Sequence, residues 1–213
     1  MRLGTYYRSL VCKAIDLPLS GGRVLDIGGY DGYQVSRIDA NEKTVIDLDV
    51  LRLYEGIRYI ERDFLRYDTG KERFDRVYAF DVLEHVPDDR AFIGKALESL
   101  ADDGVAILST PSAGIKIFPS FLQPWVDKKW QHHIRRGYSG DELASLTGDT
   151  GCRTKVDVIE WNCPVFRFLY LPLSLLWRVS PGMCRIALSL TVMADKNFKS
   201  GRCGFLFVIV RRI

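Results

Sequence analysis

The stretch Val24-Leu25-Asp26-Ile27-Gly28-Gly29-Tyr30-Asp31-Gly32 decides the fold of this chain. A short apolar run ends at an acid and passes into glycines, the pattern of a buried strand that turns sharply at its carboxyl end. Gly28 and Gly32 permit a tight turn and let backbone N–H groups approach a ligand closely. A carboxylate at Asp26, just ahead of the turn, repels a pyrophosphate and attracts a cation. The glycine pattern of dinucleotide sites fails here, because Tyr30 and Tyr33 stand where its second and third glycines would be needed.

Working outward, strand-like and helix-like segments alternate. Leu3, Tyr7, Leu10, Val11, Ala14 and Ile15 recur at helical spacing ahead of the break at Pro18 to Gly22, which predicts an amphipathic helix within residues 1–20. A helix from about Gly32 to Ala40 follows the opening run. Further apolar runs lie at Thr44 to Leu48, Ile57 to Ile60, Phe74 to Phe80 and Val105 to Ser109. Between the last two, Phe92, Ile93, Ala96, Leu97 and Leu100 form one stripe behind the acidic turn Asp88-Asp89, which predicts a helix. Ser139-Gly140-Asp141-Glu142 reads as a capping box opening another, to about Thr147. An alternating stretch spans Arg153 to Trp161, and Gly204 to Val210 is a continuous apolar run. This order predicts an α/β fold: a mostly parallel sheet with right-handed crossovers and helices on both faces, its ligands held at the strand carboxyl ends.

The chain has 213 residues, 47% hydrophobic and 27% charged, which suits one globular domain over 1–213 and excludes disordered and collagenous classes. Five cysteines with no C-x-x-C pair indicate neither a disulfide framework nor a zinc knuckle, and a reducing, cytoplasmic setting fits them. The net charge of +3 gives no bulk signal for nucleic-acid binding. Its distribution is uneven. Residues 1–160 carry 22 basic and 26 acidic side chains, while 161–213 carry 8 and 1.

The remaining strand ends supply the other candidates. Asp47, with Leu48 and Asp49 beside it, ends the second run, where a carboxylate can accept both hydroxyls of a ribose. Asp63-Phe64 follows the third, positioned to accept an adenine amino group and to lie against its ring. Phe80-Asp81-Val82-Leu83-Glu84-His85-Val86 follows the fourth. For each there is a plainer alternative: a capping acid for Asp26 or Asp47, a core ring for Phe64 or Phe80.

Taken together, Asp26 to Gly32, Asp47, Asp63 and Phe74-Asp75 leading into Phe80 to Val86 resemble the class I S-adenosylmethionine-dependent methyltransferases. They are most similar to the group that includes the quinone-biosynthesis type. The resemblance covers about residues 20–112 and resumes more weakly at Tyr138 to Trp161. It implies a Rossmann-like, seven-stranded sheet with an antiparallel last strand at about 204–212. It implies S-adenosylmethionine as cofactor: its methionine part at the Asp26–Gly32 turn, its ribose at Asp47, its adenine at Asp63-Phe64, with Phe80 also at the site. The departure is Tyr30, a bulky ring where the family usually has its middle glycine, so a non-catalytic relative is one rival reading. A nucleotide-sugar or NAD enzyme is another.

A sulfonium methyl is already activated, so the protein must chiefly align a nucleophile and exclude water; hydroxyl acceptors also need a base. O-methylation of a small or amphipathic acceptor is the expectation, with His85 as base. The alternatives for His85 are a turn-satisfying histidine or a metal ligand with Asp81 and Glu84. His133, in the basic and aromatic loop Lys128 to Arg136, is the second catalytic candidate, against a plain solvated loop. Residues 162–200 form an apolar, basic helical insertion: Phe166 to Trp177 and Ile186 to Ala194 are too short to cross a bilayer and are flanked by arginines and lysines. Peripheral contact with the inner membrane face through 163–200, with a lipid-linked acceptor, competes with simple cover for the sheet or a dimer contact.

Overall fold

In the computed structural model the described residues are 2–129, 134–148, 153–198 and 203–212. In chain order they form α1 (Leu3–Ala14), β1 (Gly21–Ile27), α2 (Tyr33–Ser36), β2 (Ala40–Asp47), β3 (Ile57–Glu61), β4 (Phe74–Phe80), α3 (Asp89–Glu98) and β5 (Leu100–Pro111). There follow α4 (Gln123–Lys129), α5 (Gly140–Gly148), β6 (Thr154–Asn162), α6 (Pro164–Val179), α7 (Pro181–Lys196) and β7 (Cys203–Arg212). One seven-stranded sheet has the order β3-β2-β1-β4-β5-β7-β6. Neighbours among β1 to β5 are parallel, and β7 runs antiparallel to both β5 and β6.

Alternation along β1 divides the core. Val24 joins Val45, Tyr78, Ile107 and Phe207 on the face covered by α1, α6 and α7. Leu25 and Ile27 join Ile46, Val77, Ala79 and Leu108 on the face covered by α3 and α5. The period of two in a strand sends successive side chains to opposite faces, so a run covered on both sides is apolar throughout.

Two boundaries differ from the sequence expectation. The helix after the glycine turn stops at Ser36, because β2 begins at Ala40 and pairs with Gly21–Val24 through the polar residues Glu42 and Lys43. Ladder hydrogen bonds there recruit residues that carry no apolar signal. β5 likewise begins at Leu100, with a register shift opposite Phe74 and Arg76. The capping box is formed: Ser139 N and Oγ both donate to Glu142, whose own N–H donates back to Ser139 Oγ.

A buried polar knot holds the helices of the first face. Asp195 of α7 accepts from Tyr7 O–H at 2.8 Å and from the backbone N–H groups of Val165 and Phe166 at the start of α6. Trp161 Nε1 donates to Tyr7 Oη, whose ring stacks on Phe166 at 3.7 Å. One carboxylate thereby caps α6 and fixes α1 against α7.

Candidate active site

At the carboxyl ends of β1 and β4 lies a cavity of about 470 Å³. The β1 turn contributes Asp26, Gly28, Tyr30 and Asp31; β4 and the turn after it contribute Phe80, Asp81, Glu84 and His85. Arg2, just ahead of α1, and Leu3 to Thr5 and Arg8 of α1 close one side, and Phe166, Tyr170 and Ser174 of α6 another. Ligand sites of such sheets form where neighbouring connections diverge to opposite faces, and β1 and β4 are such neighbours.

The turn works because its glycines have no side chains. Gly28 has φ +75°, and a Cβ on it would lie 2.5 Å from Val82 Cγ2; one on Gly29 would lie 2.6 Å from Asp26 Oδ2. Tyr30 adopts φ +41°, a left-handed conformation strained for a tyrosine. It is held there by its N–H donating to Asp47 Oδ2 at 2.9 Å and by its carbonyl accepting from Leu51 N. Its ring lies under the Arg2 guanidinium, 5.5 Å from the centroid. Tyr30 therefore lines the cavity without filling it.

Asp26 is 2% exposed, and its Oδ2 has no hydrogen-bond partner. Burial, reinforced by Asp47 and Asp31 and opposed by Arg8, pushes its carboxyl up to about 7. Arg8 forms an ion pair with Asp81 and lies over Phe80, while its Nε is buried without a partner. Asp81 has φ +54° and also accepts from Ser109 Oγ at 2.9 Å. Burial beside Asp81 holds the Glu84 carboxyl well above the ordinary glutamate range. His85 lines the same cavity at its exposed side.

The structure thus brings together Asp26, Gly28, Tyr30, Phe80 and His85 from the sequence candidates, with Asp47 tied in through Tyr30 N. It does not bring Leu48, Asp63, Phe64 or Gly32 to the cavity wall. Leu48 is 73% exposed. Gly32 has φ +71° and packs against Tyr59, supporting the turn from behind. Asp63 accepts from Leu65 N and pairs with Arg66. Phe64 is a core side chain, edge-on to Phe92 with Lys95 over its ring. Its apolar character gave no way to distinguish a core ring from a ligand platform. His133 lies outside the described residues. Among the described residues no three His, Cys, Asp or Glu side chains group as a metal site, so the metal alternative for Asp81, Glu84 and His85 is not supported. Sequence reading missed Arg2, Arg8, Tyr170 and Ser174. Their signal was only helical spacing: Tyr170 and Ser174 follow Phe166 at intervals of four, and Arg8 follows Gly4 by four.

This sheet order, the antiparallel β7 and the acid-and-glycine cavity define the class I methyltransferase architecture, which uses S-adenosylmethionine. A family model described as a methyltransferase domain matches residues 2–155, and the chain belongs to that family. It is similar to the ubiquinone biosynthesis O-methyltransferase of Dinoroseobacter shibae, 28% identical over 182 residues, 76% of this chain and 69% of that protein. It is also similar to the protein of the same name from Idiomarina loihiensis, 27% identical over 147 residues. That match covers 63% of this chain but only 59% of the relative's length. Among solved structures, a putative sarcosine dimethylglycine methyltransferase from Galdieria sulphuraria superposes with TM-score 0.61 at 17% identity, covering 98% of this chain and 85% of that one. The phosphoethanolamine N-methyltransferase 2 of Haemonchus contortus, in complex with S-adenosyl-L-methionine, gives 0.64 at 15% identity, covering 96% and 52%.

The chain is an S-adenosylmethionine-dependent methyltransferase, and the cavity suits that cofactor. Its volume falls in the range of small-molecule sites, its floor carries a buried acid with one unpartnered oxygen, Asp26 Oδ2, to receive a cationic group, and the bare Gly28 and Gly29 leave room beside that acid.

Proposed function

We propose that this methyltransferase modifies an oxygen of a small, amphipathic acceptor. The observation that carries the reading is the make-up of the cavity at the ends of β1 and β4: acid and glycine on the β1 side, aromatic Phe166 and Tyr170 of α6 on the other. A charged cofactor end and an apolar acceptor can share such a space. The relatives named for ubiquinone O-methylation favour oxygen as the methylated atom.

When bound, the cofactor supplies a sulfonium-activated methyl group. The chain's own residues do the rest. Asp26 and the turn at Gly28–Gly29 would hold the cationic methionine end, and the unpartnered Arg8 Nε offers a donor to its carboxylate. Asp47 would accept from the ribose while keeping the Tyr30 N–H, since a carboxylate has lone pairs for both. Leu48 and Asp63, which follow the ends of β2 and β3 outside the cavity wall, would lie toward the adenosine. Phe80 and Arg8 exclude water from the floor. His85 would take the acceptor's proton at the cavity edge, while Glu84, neutral by burial, adds no second negative charge beside Asp81. The finer form of this reading is an acceptor with a lipid tail, met by a protein in peripheral contact with a membrane.

Methyl transfer to phenols bearing alkyl tails of increasing length is the test, with amines of matched shape alongside. Transfer to oxygen with KM falling as the tail grows is expected, and His85→Ala should lower kcat by about 10² or more. Transfer confined to amines, or indifference to the tail, would refute the acceptor; an unchanged kcat would remove His85 from the mechanism.

A further inference from the structure

We infer that the outer face of the α6–α7 hairpin is a docking surface for an anionic lipid bilayer. The inference deepens the reading of the acceptor as amphipathic and rests on it. Met183, Ile186, Leu190 and Met193 recur along α7 at intervals of three and four, and Leu175 and Val179 lead into them from α6. These six side chains are each 62–76% exposed. The opposite stripe of α7, Cys184, Leu188, Val192 and Asp195, is the one buried against the protein. Both helices thus carry a second apolar face turned to solvent, and exposed apolar surface in a continuous row marks an interaction site.

The charges on the hairpin select the occupant. Residues 163–198 contain one acid, Asp195, and it is 1% exposed and committed to Tyr7 and the α6 N-terminus. Arg178, Arg185 and Lys196 are exposed around the apolar row. An isologous contact between two copies would set this patch against itself, bringing cations to cations with no acid to separate them. A bilayer with anionic headgroups satisfies both features, taking the apolar row into the acyl boundary and the cations at the headgroups. No helix of the described residues is long and apolar enough to cross a membrane, so the hairpin would lie in the interface.

The same helix forms the cavity wall. Phe166, Tyr170 and Ser174 of α6 face the cavity, while Phe168, Leu175 and Val179 face out. Docking would therefore leave about one helix diameter, about 10 Å, between lipid and acceptor site. An acceptor whose tail stays in the bilayer can span that distance.

Flotation of the intact chain with vesicles of phosphatidylcholine alone, and of phosphatidylcholine mixed with phosphatidylglycerol, tests this. The chain should float with the anionic vesicles, remain mostly soluble with the neutral ones, and be released from the former by high salt. Ile186→Glu with Leu190→Glu should weaken vesicle affinity by about tenfold or more for each buried side chain lost, with S-adenosylhomocysteine affinity by calorimetry unchanged as proof of an intact fold. Equal flotation of variant and intact chain, or no flotation with either vesicle, would overturn the inference. So would a dimer in sedimentation that the same two substitutions dissolve. Flotation that persists while oxygen methylation fails would leave the surface standing and discard only the acceptor.

Discussion

The carboxylate of Asp26 should make cofactor affinity depend on pH, and the dependence can be worked from its surroundings. Its folded pKa of about 7 lies above the ordinary aspartate value of 3.8 because burial disfavours the charged form. A bound cationic group favours that charged form, so binding to the protonated protein must release the proton. With a pKa of 7, about one molecule in eleven is ionised at pH 6 and nearly all at pH 8.5. S-Adenosylhomocysteine, which keeps the cationic ammonium, should therefore bind roughly tenfold more weakly at pH 6 than at pH 8.5. Calorimetry in buffers of different ionisation enthalpy should show up to one proton released below pH 7. Asp26→Asn should bind weakly with a nearly flat profile. The same shift bears on stability: an acid with a raised folded pKa leaves the ligand-free protein most stable below the unfolded value. Stability is then lost as pH rises from about 4 to 7. At pH 8 the Asn variant without ligand should consequently unfold at higher temperature than the parent. Flat affinity in the parent would refute the role of Asp26, and an unchanged slope in the variant would transfer the titration to another cavity acid, Glu84 being the nearest in character.

Three further outcomes follow from the same geometry. Asp47→Ala removes the acceptor of the Tyr30 N–H and, on the proposed reading, the acceptor of the ribose hydroxyls, and calorimetry should show S-adenosylhomocysteine affinity lower by about 1 to 3 kcal/mol; a smaller change would place the ribose elsewhere. Gly28→Ala forces a Cβ to within 2.5 Å of Val82 at φ +75°. It should abolish measurable cofactor binding, and adding Val82→Ala should restore it only in part, because the backbone strain remains. Asp195→Ala orphans Tyr7 O–H and two α6 N–H groups, so thermal unfolding should fall by about 5 to 10 °C, on the basis of about 2 to 3 kcal/mol for the buried donors. A drop of less than about 2 °C would mean the knot relaxes onto other partners.

The sequence by itself determined the parts of this protein whose signal is local. Alternating apolar runs and helical stripes gave the α/β class. Gly28, with the acids at Asp26 and Asp47, marked the tight turn at the carboxyl end of β1, because a close backbone turn beside acids demands those residue types in that order. Ser139 and Glu142 announced the start of α5 by their side chains alone. Tertiary structure decided what depends on partners distant in sequence. Pairing with β1 extended β2 back to Ala40 against its polar composition, and packing against Phe92 took Phe64 into the core. The return of α6 beside α1 placed Tyr170 and Ser174 opposite Asp26, about 145 residues away along the chain. Burial, which no single residue encodes, made Asp26 and Glu84 reluctant to ionise. A pattern can say which residue types meet water or core, but which two distant surfaces meet one another is fixed only when the sheet closes between them.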